Sequence, residues 1–182
     1  GSMAVAAVST GSKISMFFCT PFDSLGGTMA TYAGQNVGAR QLDRVEKGMW
    51  TANFIGFVYA ILAFVGLFFG GKYLALMFVD PGETELIRQI SLFLIGNSLF
   101  YIPLTAVNVV RFSIQGMGFS GFAILAGVCE MVARALVGFF FVPVFGFLPA
   151  CFASPLAWIF ADAFLFPAFY HCLKKLKKLF NE

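Results

Sequence analysis

From Met49 to Phe69 the chain carries no charged residue, a run long enough to cross the hydrocarbon core of a bilayer as one helix. In lipid the backbone satisfies its own hydrogen bonds only within helices or closed barrels, so such a run constrains the fold more than any other feature here. Four more apolar segments share its character: about Met3 to Gly34, Leu86 to Ile114, Phe119 to Phe141 and Ala150 to Leu173. The pattern predicts an all-α, polytopic membrane protein with about five transmembrane helices. Composition closes off the soluble alternative. Only 12% of the 182 residues are charged, against about 25% in soluble domains, while 59% are hydrophobic and 18% aromatic.

The connections are written in glycine, proline and charge. Pro21, Gly26 and Gly27 break the first span, and the polar stretch Gln35 to Lys47 follows it. Beyond Gly70-Gly71, Tyr73 to Val79 continues the second helix past a kink or lies in the interface. Asp80-Pro81-Gly82-Glu83 reads as a turn. Pro103 is expected to interrupt the third span, Gly116-Met117-Gly118 to form a short loop, and Pro143 to Pro149 to connect the last two spans. Arg40, Arg44 and Lys47 follow the first span, and Lys174, Lys175, Lys177 and Lys178 follow the fifth. Five spans place these two basic groups on one side, which the positive-inside rule makes the cytoplasm. The expectation is a multi-pass protein of the plasma or inner membrane, with its N-terminus outside, its C-terminus cytoplasmic and its lysine run among anionic head groups.

Several classes of function lose support. The net charge of +3 is small and local, which argues against nucleic acid. Cys19, Cys129, Cys151 and Cys172 are scattered singly, and His171 is the lone histidine, so no metal-ligand spacing exists. No nucleophile-base or clustered-carboxylate arrangement suggests an enzyme, and no cofactor is implied.

Ionisable residues inside a span cost roughly 2.5–3.5 kcal/mol each and tend to be paired or functional. Here they are Lys13 and Asp23 in the first span, Arg111 in the third, Glu130 and Arg134 in the fourth and Asp162 in the fifth. At 100° per residue, Lys13, Thr20, Ser24, Thr31 and Gln35 fall within roughly 40° of a common line, with Asp23 off it. Asn97, Tyr101, Asn108, Arg111 and Gln115 make a similar stripe on the third span. Such stripes face protein or a water-filled cavity: they are interhelical glue, or the wall of a transport pathway. Lys13 can also snorkel to the outer interface. Glu130 and Arg134, four residues apart, have the spacing of an intrahelical ion pair. Asp162 is either a lone buried carboxylate or bonded to a neighbouring helix.

Ala30-Thr31-Tyr32-Ala33-Gly34-Gln35-Asn36-Val37-Gly38-Ala39-Arg40 resembles the Gln-Asn-x-Gly-Ala stretch of the multidrug and toxic compound extrusion (MATE) transporters. Ala4-Val5-Ala6-Ala7 upstream resembles the start of the same helix. Arg111 to Gly118 resembles the family's Arg-x-x-x-Gln-Gly-x-Gly helix ending, through Arg111, Gln115, Gly116 and Gly118; Glu130-x-x-x-Arg134 and Pro155-Leu156-Ala157-Trp158 also fit. The resemblance implies helices eight to twelve of a twelve-helix transporter, most of one six-helix bundle, with the N-terminal bundle of the same protein as partner. It further implies an antiporter that exports cationic, lipophilic small molecules against entry of Na⁺ or H⁺ as two bundles rock about a cleft. Lys13, Asp23, Asn97, Tyr101, Asn108 and Arg111 are the pathway candidates, with Met16, Phe17 and Phe18 as wall residues. A lipid-linked oligosaccharide flippase of the same superfamily and a non-transporting interaction subunit are the alternatives. The third span carries no acidic residue within its apolar run, so the coupling carboxylate some relatives hold there has no counterpart.

Overall fold

A computed structural model describes residues 2–180, and all of the regular structure among them is helical. The elements are α1 (Ser2–Gly38), α2 (Leu42–Ala75), α3 (Thr84–Ser98), α4 (Tyr101–Gly116), α5 (Ser120–Leu136), α6 (Val142–Phe145) and α7 (Phe147–Phe180). One wide turn of π-helix, Val137–Phe141, joins α5 to α6. Helices α1, α2 and α7, and the run Ser120–Phe145, are each long and apolar enough to cross a membrane. Helices α3 and α4 meet that test together, as one span bent by 51°.

Of the breaks the sequence suggests, one is absent and two take a more helical form. Helix α1 runs unbroken through Pro21, Gly26 and Gly27. A proline removes one ladder donor and pushes carbonyls out of line, and in lipid a neighbouring helix must satisfy them. The carbonyl Pro21 leaves without a donor is that of Phe17, and beside it the Tyr59 hydroxyl of α2 donates to the Phe18 carbonyl at 3.1 Å. The third span is interrupted as Pro103 predicts, with the break one turn earlier at Leu99-Phe100, because the proline ring excludes the Leu99 carbonyl from a continuous helix. The Phe100 N–H turns back to Asn97 O at 3.1 Å, tightening the last turn of α3. Pro103 then falls in the first turn of α4, where its missing N–H costs nothing. The stretch from Pro143 to Pro149 is largely helical, and the chain changes direction at Gly146, whose φ of 71° is a glycine conformation.

Helix α4 is the hub, packed against α1, α2, α5 and α7, while α3 packs on α1, α2 and α7 and α5 lies along α7. Its aromatic centre is Tyr101, fully buried, edge-on to Phe22 at 5.4 Å and tilted to Trp158 at 6.5 Å. Phe22 in turn meets Tyr59 edge-on at 5.0 Å. The outer surface is apolar: Phe54, Leu62, Phe69, Phe139 and Phe140 are each more than 60% exposed. A continuous exterior of this kind is a lipid-facing surface. The two basic groups meet at one end, where Lys177 Nζ of α7 lies 2.8 Å from Asp43 Oδ1 at the start of α2.

Candidate functional site

The polar side of α1 is uncovered by the rest of the bundle. Lys13, Thr20, Asp23, Ser24, Thr28, Thr31 and Gln35 are all exposed, while Ile14, Phe22, Met29 and Ala33 on the opposite side enter the core. Each hydroxyl on this side donates to its own helix four residues back: Thr20 to Met16 O at 2.9 Å, Ser24 to Thr20 O at 3.0 Å, Thr28 to Ser24 O at 2.9 Å and Thr31 to Gly27 O at 3.4 Å. That geometry consumes the proton and leaves the oxygen lone pairs facing outward. A row of acceptors with no protein partner suits water or a cation, and lipid cannot serve it. Met16 and Phe17 border the row, 72% and 75% exposed. Along its α2 flank runs a cavity of about 480 Å³, lined by Thr20, Ser24, Thr28, Phe22 and Tyr59. Thr28 belongs to this face by helical phase and was legible in the sequence. Tyr59 comes from another helix and was not.

The stripe expected on the third span does not exist as a single line, because the bend at Leu99-Phe100 divides it. Asn97 remains on α3 and is buried, its amide donating to Phe93 O at 3.1 Å and to Cys151 O of α7 at 3.2 Å. Tyr101 hydrogen-bonds with Ser15 of α1, oxygen to oxygen, at 2.9 Å. Asn108 is buried on α4 and faces Asp23, which thereby joins the α1 and α4 pathway candidates. Gln115 lies at the exposed end of α4. The structure thus brings Lys13 and Asp23 to the open face of α1 and turns Asn97, Tyr101 and Arg111 inward as helix-to-helix contacts.

Arg111 pairs with Glu130 of α5, and Arg134 Nη2 reaches the other oxygen of the same carboxylate at 2.8 Å. The spacing of Glu130 and Arg134 offered one partner; the second comes from a different helix and needed the tertiary structure. Asp162 of α7 is within electrostatic reach of Arg111, and its Oδ1 is buried without a hydrogen bond. Two guanidinium groups and two carboxylates therefore share one region where α4, α5 and α7 meet. Sharing the Glu130 carboxylate lowers the cost of holding both guanidinium groups at membrane depth.

The two sequence motifs lie against each other. Gly116 of α4 faces the Ala30 carbonyl of α1 so closely that a Cβ there would sit 2.2 Å from the oxygen, and Gly34 faces the Gly116 carbonyl across the same contact. Gln35, Asn36, Gly38 and Ala39 close α1. Asn36 Nδ2 donates to Tyr32 O at 2.8 Å, and its carbonyl receives the Gln41 N–H at 2.8 Å, which shapes the tight turn into α2. Gly118, at φ 91°, turns the chain out of α4. A family model named MatE matches residues 1–140, which include both motifs and the contact between them.

The chain belongs to the MatE family.

A solved structure described as the inward-facing conformation of a multidrug resistance MATE family transporter of the MOP superfamily superposes with a TM-score of 0.81 at 16% identity. The match covers 91% of this chain and 38% of that one, so this MatE chain spans well under half the length of the transporter it resembles. At that identity the likeness establishes the fold. A comparison with curated proteins gave no match. The five spans are most of one six-helix bundle of the twelve-helix MATE architecture, in a multi-pass membrane protein of a transporter family.

Proposed function

We propose that this chain is most of the C-terminal bundle of a secondary active antiporter, which exports lipophilic organic cations against entry of Na⁺ or H⁺. The observation that carries the reading is the open face of α1. It presents outward lone pairs at Thr20, Ser24, Thr28 and Thr31, bordered by Met16 and Phe17, on a helix otherwise surrounded by apolar surface. The N-terminal bundle of the same protein closes that face into a cleft, and rocking of the two bundles exposes it to each side in turn. Hydroxyl oxygens accept an inorganic cation. Methionine and phenylalanine accept an organic one through polarisable and cation–π contact, so the two compete. Lys13 stands at the N-terminal end of the hydroxyl row, and Asp23, backed by the buried Asn108, flanks it. By the positive-inside rule, the end bearing Asp43 and Lys177 is cytoplasmic. The flippase alternative draws less support, because Arg111 and Arg134 are both engaged by Glu130 between helices and leave Lys13 alone on the open face to hold a pyrophosphate.

The test is thiol accessibility in cells expressing the transporter that contains this chain. Ser24→Cys and Thr31→Cys are expected to react with a membrane-impermeant thiol reagent and to be protected by an exported fluorescent cation. Phe69→Cys, on the lipid side, stays unreactive. Efflux of that cation is expected to fall in Ser24→Leu. Equal reactivity at Ser24 and Phe69, with efflux unchanged in Ser24→Leu, refutes the reading.

A further inference from the structure

We propose that the basic end of the bundle holds a binding pocket for the phosphate head group of an anionic membrane lipid. A hollow of about 570 Å³ opens between the α1–α2 turn and the C-terminal end of α7, and Arg40, Arg44 and Lys177 line it from these two separate elements. Among the described residues Asp43 is the one carboxylate in the lining, and the four charged side chains described there sum to +2. Lys177 at 2.8 Å already engages Asp43, which leaves Arg40 and Arg44 without an ion-pair partner among the described residues.

Arg40 is held in place for this role. Its φ of 57° is in the left-handed region that a side chain rarely adopts, and its guanidinium lies over the Phe180 ring, 5.5 Å from the centroid. Stacking fixes one face of the guanidinium and leaves its edge donors free, the geometry that grips a phosphate. Gln41, the residue that caps α2, makes no side-chain cap hydrogen bond, and the N-terminal end of this 34-residue helix, with its dipole, adjoins the same hollow. The occupant is a lipid rather than a free anion, because the hollow lies where two spanning helices leave the bilayer. Phe180, partly exposed in the lining, is the apolar side chain that the first carbons of an acyl chain would meet. A lipid seated there ties the α1–α2 turn to the end of α7.

The experiment is native mass spectrometry of the transporter that contains this chain, released from nanodiscs of phosphatidylcholine containing a minority of phosphatidylglycerol. Retained phosphatidylglycerol is expected on the wild type, and its affinity should drop roughly fivefold for each arginine removed, about thirtyfold for Arg40→Gln with Arg44→Gln. Lys174→Gln with Lys178→Gln, which removes two charges outside the hollow, should leave retention near wild type. Arg40→Gly separates binding from folding, since glycine relieves the backbone and should melt no lower while still losing lipid. Equal losses in the arginine and lysine pairs would mean diffuse surface charge and overturn the proposal. Displacement of the lipid by inorganic phosphate at the concentration of the head group would overturn its assignment to a lipid.

Discussion

Replacing Gly116 by alanine probes the contact on which both family motifs converge. The added Cβ would lie 2.2 Å from the Ala30 oxygen and 2.9 Å from its carbonyl carbon and Cα. A carbon and an oxygen need about 3.2 Å or more, so α1 and α4 must separate locally by about 1 Å. All three obstructing atoms belong to backbone or Cα, and no rotamer change can relieve them. Overpacking of this kind costs about 1–3 kcal/mol, and a backbone obstruction belongs at the upper end. At roughly 2–4 °C per kcal/mol for a chain of this size, the melting temperature should fall by about 6–12 °C. The assay is thermal unfolding in detergent, followed with a fluorophore that reacts with the buried thiols of Cys151 and Cys172 as they open. Ala30→Gly should not rescue Gly116→Ala, because the oxygen remains. At Gly48, by contrast, the obstruction is the Tyr32 ring at 2.3 Å, so Tyr32→Ala should rescue Gly48→Ala. Melting of Gly116→Ala within about 1 °C of wild type, or rescue by Ala30→Gly, would refute the close approach of these helices.

Glu130→Gln should destabilise by about 3–5 kcal/mol in the same assay, because Arg111, with only 22% of its side chain exposed, loses its compensating charge. Adding Arg111→Met should restore most of that loss, and additive effects of the two changes would contradict a shared pair. At the basic end, Lys177 lowers the Asp43 carboxyl below its ordinary 3.8, first by hydrogen bonding and then by charge, while Asp43 raises Lys177 above 10.5. The Asp43 contribution is present above 3.8 and lost as pH falls through its lowered value. That of Lys177 is present below 10.5 and lost as pH rises through its raised value. Spin labels at Gln41 and Leu179 should therefore report one short distance across neutral pH and a broadened one at both extremes; broadening at one extreme alone would contradict the pair. Glu85, held near a pKa of about 2 by hydrogen bonds from Arg88 and Gln89, should still read as ionised at pH 3 in an NMR titration of its carboxyl carbon, and protonation there would contradict those contacts.

What the sequence determined by itself is whatever depends on a local property of the chain. Hydrophobic length sets which segments can span a bilayer, and 100° periodicity sorts the open polar side of α1 from its buried side, because a helix in lipid has one dominant geometry. The same periodicity misled on the third span. Asn97 and Tyr101 share a phase only if the helix stays straight, and the break falls at Leu99-Phe100, one turn before Pro103, whose ring excludes the Leu99 carbonyl from a continuous helix. Likewise Pro21 looks like a breaker, yet α1 continues through it, with Tyr59 of another helix donating to the Phe18 carbonyl next to the gap in the ladder. Which charges pair was also a tertiary decision: an i,i+4 spacing finds Arg134 for Glu130, but only the packing of α4 on α5 brings Arg111 to it. The glycine motifs were legible as strings, yet their purpose was not. Gly116 is glycine because a backbone carbonyl from α1, some 86 residues earlier, occupies the space a methyl group would need, and no local reading of a sequence holds that distance.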